Sequence, residues 1–195
     1  LGGFAGDALT TGSNNVAIGY EALTTEDTGS RNIAIGQSAL GSLNYDGNGY
    51  NIAIGHNSGV AVSTGTENVL IGGLAGDALT TGIRNVAIGH AALSTEDGHG
   101  GNIAIGYEAL KTQNAGTNAY SVAIGHEAGK SVTTGETMVL IGGFAGDALT
   151  TGSSNIAIGY AALSSEDTGQ RSIAIGEGAL ESNTTATGNT SVGQI

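Results

Sequence analysis

Asn15-Val16-Ala17-Ile18-Gly19 recurs along this chain as Asn32 to Gly36, Asn51 to Gly55, Asn68 to Gly72, Asn85 to Gly89, Asn102 to Gly106 and Asn155 to Gly159. Looser copies end at Gly125, Gly142, Gly176 and Gly193, and Gly2 closes one whose beginning is missing. With each closing glycine as a marker, the spacings run 17, 17, 19, 17, then 17, 17, 19, 17, then 17, 17, 17 residues. A period of 70 residues lies over the first: Leu74 to Gly82 matches Phe4 to Gly12 and Phe144 to Gly152 apart from its first residue. Fixed self-similarity of this kind marks a repeat architecture. The chain reads as one array over 1–195, with super-repeats at 2–71, 72–141 and an incomplete 142–195. Because Leu1-Gly2-Gly3 opens mid-repeat, a piece of a longer chain is expected.

The pentapeptide is β-branched and alternates, as a strand does. Behind it comes a second short apolar segment, Tyr20-Glu21-Ala22-Leu23, and then the polar run Thr24 to Arg31. A glycine stands ten residues after the marker in most units (Gly12, 29, 65, 82, 116, 135, 152 and 169), as a turn requires. A helix needs about 10–12 residues of 3.6-residue periodicity, and no unit leaves room for one. The expectation is an all-β fold: a parallel β-solenoid, or β-roll, of about twelve coils of 17–19 residues. Two short strands and two turns are expected in each coil.

Alternation gives the strand two faces. Val16 and Ile18 are expected to point into the coil, with Asn15, Ala17 and Gly19 on the other side. Asn15, Asn32, Asn51, Asn68, Asn85, Asn102 and Asn155 then form an amide ladder from coil to coil, interrupted by Ser121, Met138 and Ser172. The small residues Ala17, Gly19, Ala34, Gly36, Ala87 and Gly89 form a surface that another sheet can approach closely. Further copies of the same chain around a symmetry axis are the expected cover, so self-association is the expected partnership.

Composition supports a thin layered core. The chain has 36 Gly, no Pro, no Cys, no Trp and two Phe, too few large rings for a conventional core of this length. Disulfides and cysteine metal sites are excluded, without fixing the compartment. Five basic residues stand against seventeen acidic ones, a net charge of −12, which disfavours nucleic acid and anionic membrane surfaces. No apolar run approaches the roughly 20 residues that span a bilayer as a helix.

Asn-(Val/Ile)-Ala-Ile-Gly, followed by a small apolar segment and a glycine turn, resembles the head repeats of YadA-like trimeric autotransporter adhesins. The unit Asn85-Val86-Ala87-Ile88-Gly89-His90-Ala91-Ala92-Leu93 is also similar to repeats of phage tail-fibre proteins. The resemblance covers essentially the whole chain. It implies a left-handed β-roll, commonly a homotrimer, that serves as a rigid extracellular stalk or adhesive head.

Several local patterns imitate functional motifs. Gly125-His126-Glu127-Ala128-Gly129-Lys130-Ser131 approaches a phosphate-binding loop but is one residue short between its glycines, so a coil corner is the better reading. Asn44, Asp46 and Asn48 match the first half of a calcium loop, yet position twelve is Gly55 where a closing Glu is needed; an inserted turn is expected. His56, His90 and His126 follow marker glycines, but Tyr107 separates His90 from His126 in the column, which disfavours a shared ion. Glu26-Asp27, Glu96-Asp97 and Glu166-Asp167 read as solvated turn charge, since neighbouring residues of an extended chain point apart. Thr11, 28, 64, 81, 134, 151, 168 and 185 form a column, but the adjoining one mixes Thr10, Asp27, Asn44 and Ser63 where ice binding needs matched columns. No catalytic residue and no cofactor is expected. The expected role is a structural fibre or shaft outside the cell or on a virion, giving stiffness, reach and adhesion. The alternative is a receptor- or glycan-binding adhesin head.

Overall fold

The computed structural model describes residues 2–185 and 187–194. Eleven three-residue strands follow one another: β1 (Val16–Ile18), β2 (Ile33–Ile35), β3 (Ile52–Ile54), β4 (Val69–Ile71), β5 (Val86–Ile88), β6 (Ile103–Ile105), β7 (Val122–Ile124), β8 (Val139–Ile141), β9 (Ile156–Ile158), β10 (Ile173–Ile175) and β11 (Thr190–Val192). They form one parallel sheet in sequence order, with Ala17 beside Ala34, Ala34 beside Ala53, and so on without a slip. The chain is a parallel β-solenoid, and no helix occurs among the described residues. Twelve marker glycines bound eleven complete coils, which is why the strands number eleven. At about 4.8 Å per coil the sheet is close to 50 Å long.

Each coil holds one strand, not two. The second apolar segment turns because alternate residues adopt left-handed backbone: Glu21 has φ 54° and Leu23 φ 52°, and Ser38 and Leu40 repeat the pattern. Its amides still find partners, in opposite directions along the axis: Glu21 N–H donates to Gly3 O at 2.9 Å and Leu23 N–H to Ala39 O at 3.0 Å. Backbone pairing between coils is thus kept up without strand geometry, and Ala22 and Leu23 are both buried.

Strand alternation is present, but its sense is the reverse of the expected one. Ala34, Ala53, Ala87, Ala104, Ala123, Ala157 and Ala174 are completely buried inside the coil. Val16 and Ile18 face solvent, 39% and 43% exposed, and the other strand Val and Ile residues are half-buried or exposed. Ala17, Ala34 and Ala87 therefore form no outer surface, and the half-buried Gly19, Gly36 and Gly89 lie at the bend beyond the strand. The reason is volume. A coil this narrow cannot seat two large side chains opposite each other. Where the turning segment supplies Leu40 or Leu93, the strand supplies Ala53 or Ala104. In β4 and β8 the strand supplies Leu70 and Leu140, and the facing positions are Gly59 and Gly129. A Cβ at Gly59 would lie 2.6 Å from Leu70 Cδ1. Leucine and glycine trade places across the core.

The asparagine ladder lies on this buried face. Asn15 Oδ1 accepts the Asn32 backbone N–H at 2.9 Å, and the pattern continues through Asn51, Asn68, Asn85 and Asn102 to the Ser121 N–H at 3.2 Å. Five of the amide nitrogens donate to turn carbonyls of the following coil, as in Asn15 to Gly29 O at 2.7 Å, Asn68 to Gly82 O at 2.9 Å and Asn155 to Gly169 O at 2.7 Å, whereas Asn32 donates to Ser30 O at 3.2 Å. Ser172 extends the ladder weakly, its hydroxyl accepting the Asn189 N–H at 3.4 Å.

Candidate functional site

The outer face of the sheet runs the length of the strand array. Each of β1 to β10 contributes two aliphatic side chains, β11 contributes Thr190 and Val192, and the residue after the marker glycine points the same way. Three columns result: Val or Ile, then Ile, then a mixed column with Tyr20, Gln37, His56, His90, Tyr107, His126 and Tyr160. Ile54, Ile124 and Ile175 remain at least 36% exposed. A continuous aliphatic stripe of this length is unusual on an isolated soluble chain.

Along its edge the rings stack. His90 and Tyr107 lie 5.6 Å apart and Tyr107 and His126 5.2 Å apart, both nearly parallel. Phe144 and Tyr160 continue the run edge-on, at 5.2 and 5.7 Å. Phe144 belongs to the next position, and reaches into the column because Gly143 leaves room there. His56 lies in the same column but outside the five-ring run.

Lys130, the residue that suggested a phosphate loop, is committed to carboxylates. Its Nζ lies 2.8 Å from Glu108 Oε2 and 3.2 Å from Glu127 Oε2, while Lys111 holds Glu108 Oε1 at 2.8 Å. Hydrogen bonds from Lys111 and then Lys130 hold the Glu108 carboxyl down, from its ordinary 4.5 to about 2. The Lys130 ammonium is raised in turn, chiefly by Glu108. A carboxylate whose folded pKa is depressed stabilises the fold above its unfolded pKa and loses that contribution as pH falls through the folded value. Glu108→Gln is therefore expected to lower the melting temperature at neutral pH. It should also shrink the loss that the parent protein suffers between pH 4.5 and 2; parallel melting-temperature profiles would contradict this. Burial raises Asp77, Asp147 and Glu96 instead, and those groups work in the opposite direction on acidification.

Asn44, Asp46 and Asn48 lie on an exposed inserted turn, where Asp46 accepts the Thr28 hydroxyl at 2.7 Å. The carboxylate pairs require a correction. Their aspartates are exposed or half-buried, but Glu26, Glu96 and Glu166 are completely buried. Each bends inward to cap its own turn, Glu26 Oε1 accepting the Gly29 N–H and Glu166 Oε1 the Gly169 N–H, both at 2.7 Å. At Gly29 there is no room for a side chain, since a Cβ would lie 2.5 Å from Glu26 Oε1 and closer still to Tyr45 O. The third copy differs, having His99 where the others have glycine. Glu96 Oε1 meets the His99 N–H and His99 Nδ1, each at 3.1 Å. Glu96, Asp97 and His99 bring three potential ligand atoms within 4.8 Å of one another, the one such His/Asp/Glu group among the described residues. His99 lies outside the histidine column after the markers, and its displacement of a turn glycine is the sequence signal that sets it apart.

No concave pocket is present among the described residues. Set against known protein families, curated proteins and solved structures, the chain shows no significant match to any of them.

Proposed function

We propose that the chain is a shaft segment of an extracellular or virion-surface fibre, in which copies of the same chain cover one another's outer aliphatic face. The carrying observation is the outward Val/Ile double column, which runs over β1 to β10 in unbroken register. Exposed apolar area on this scale favours burial against a partner. A second copy supplies a surface of identical spacing, since its columns repeat at the same interval. Three copies around an axis are the arrangement that the adhesin resemblance implies, together with the left-handed sense of the coil. Such an assembly needs no reacting group: stacked coils give stiffness over length.

Light scattering on the purified chain tests the reading. The expected mass is about three times the 19.0 kDa of one chain. Ile35→Lys, Ile88→Lys and Ile158→Lys introduced together should give monomers with unchanged circular dichroism, because these side chains point outward. A parent protein that stays monomeric at high concentration would overturn it.

The aromatic run from His90 to Tyr160 favours a second reading, an adhesive head that stacks sugar rings. Substituting Tyr107 by Ala should then abolish glycan retention while leaving the oligomeric mass unchanged.

A further inference from the structure

Glu26, Glu96 and Glu166 stand at the same point of three coils spaced by 70 residues, and they form an internal comparison. In two of them both carboxylate oxygens are satisfied. Glu26 Oε2 accepts the Tyr45 N–H at 3.2 Å, and Glu166 Oε2 accepts the Asn183 side-chain amide. Glu96 is equally buried, yet its Oε2 has no partner. One coil on, at the same interior position, Gln113 donates to Gly135 O at 2.9 Å while its own Oε1 is also buried without a partner. An unpaired buried acceptor is costly, and here two occupy consecutive places in one column. This is also the coil in which histidine replaces the turn glycine.

The backbone around His99 is held in register from both sides. Its carbonyl accepts the Asn85 amide at 2.9 Å, as the glycine carbonyls do elsewhere. The Thr80 hydroxyl donates to Asp97 O at 2.8 Å, and Gly100 N–H donates to Asn118 Oδ1 at 2.9 Å. Gly98, Gly100 and Gly101 surround the histidine, and Gly101 takes φ 79°. The fold thus keeps an imidazole at a place where, in the first copy, Gly29 has no room for a side chain.

We propose that Glu96, Asp97 and His99 bind one divalent transition-metal ion, of the class represented by zinc, on the rim of this turn. Glu96 provides a buried carboxylate, Asp97 an exposed one and His99 a half-buried imidazole. Imidazole favours zinc-type ions over calcium or magnesium, which prefer oxygen alone. Tetrahedral zinc needs donors about 3.4 Å apart with 2.0–2.2 Å bonds, so the three side chains must close by roughly 1 Å. Water completes the coordination on the exposed side. The ion would join the turn of one coil across three side chains and supply the positive charge that Glu96 lacks.

Zinc titration of the full chain, stripped with chelator, is the test. One equivalent per chain should bind and raise the melting temperature, and cobalt in its place should give a visible absorption band. His99→Gly installs the residue of the two equivalent turns, so it keeps the fold. It should lose roughly 100-fold or more in affinity, above the 10–100-fold typical of an outer-shell partner. Asp97→Asn, at an exposed position, should weaken binding in the same direction. The proposal fails if the parent protein binds no zinc, as when Glu96 simply holds a proton against Gln113. It fails equally if His99→Gly binds zinc as well as the parent, which would place the ion on His56, His90 or His126.

Discussion

Replacing Gly72 by Ala is expected to cost about 4 kcal/mol or more, a large part of the stability of a small domain. Two effects add. Gly72 has φ 132°, a backbone conformation that side-chain-bearing residues reach at roughly 1–3 kcal/mol. A Cβ there would lie 2.5 Å from Gly89 O and 2.6 Å from Gly89 C, and backbone atoms in mid-array cannot move aside without breaking register. The lesion should also be divisive. Coils interact only with their neighbours, so damage in the middle uncouples the two halves of the array. Denaturant unfolding of Gly72→Ala should therefore show a lower midpoint and a broader, split transition. Gly116→Ala is the control, since nothing lies within 4 Å of a Cβ there despite φ 74°. Its cost should stay near 1 kcal/mol. Similar losses at both sites would mean that close packing of marker glycines is unimportant.

The second large effect concerns the trade of leucine for glycine across the core. Leu70→Ala should cost about 2–5 kcal/mol through the cavity it leaves over Gly59 and Gly76. Gly59→Leu should cost about 1–3 kcal/mol or more by overlap with Leu70. Made together they rebuild the arrangement of the coil before, where Leu40 faces Ala53. Leucine is tolerated at that bend, for Leu40 itself has φ 49°. The double variant should recover most of the loss, a coupling of at least about 2 kcal/mol. Additive single costs in chemical denaturation would refute the reversed packing, and with it the outward placement of Ile and Val.

Much of the architecture was legible because a parallel solenoid writes its pitch into the sequence. The marker glycines gave strand positions and register, and the Asn ladder followed from identity at one coil position. The facing of the strand was misread by the usual ranking of apolar residues, which puts Val and Ile inside and Ala anywhere. That ranking assumes a core wide enough for large side chains. The contrary sign was present in Gly59 with Leu70 and Gly129 with Leu140, where interior volume balances only if the middle strand residue points inward. The turning segment was harder, since left-handed Glu21 and Leu23 follow no local preference and are held by bonds to two other coils. Glu26 and Glu166 were missed because charge suggests solvent, whereas a turn with a glycine three residues on can take a carboxylate inside.

The nearest-neighbour bonding has a kinetic side. Most inter-coil bonds join residues 16–20 apart, as between Val16 and Asn32 or Gly36 and Ile18, in a chain of 195. The ratio is about 0.09, in the range of helical bundles and below that of ordinary β-sandwiches. Adding another 70-residue unit lengthens the solenoid without lengthening the loop that any coil must close. The entropic cost of ordering is met in equal small steps, the first coil pair being the slow one. Each coil can fold onto the last as it leaves the ribosome.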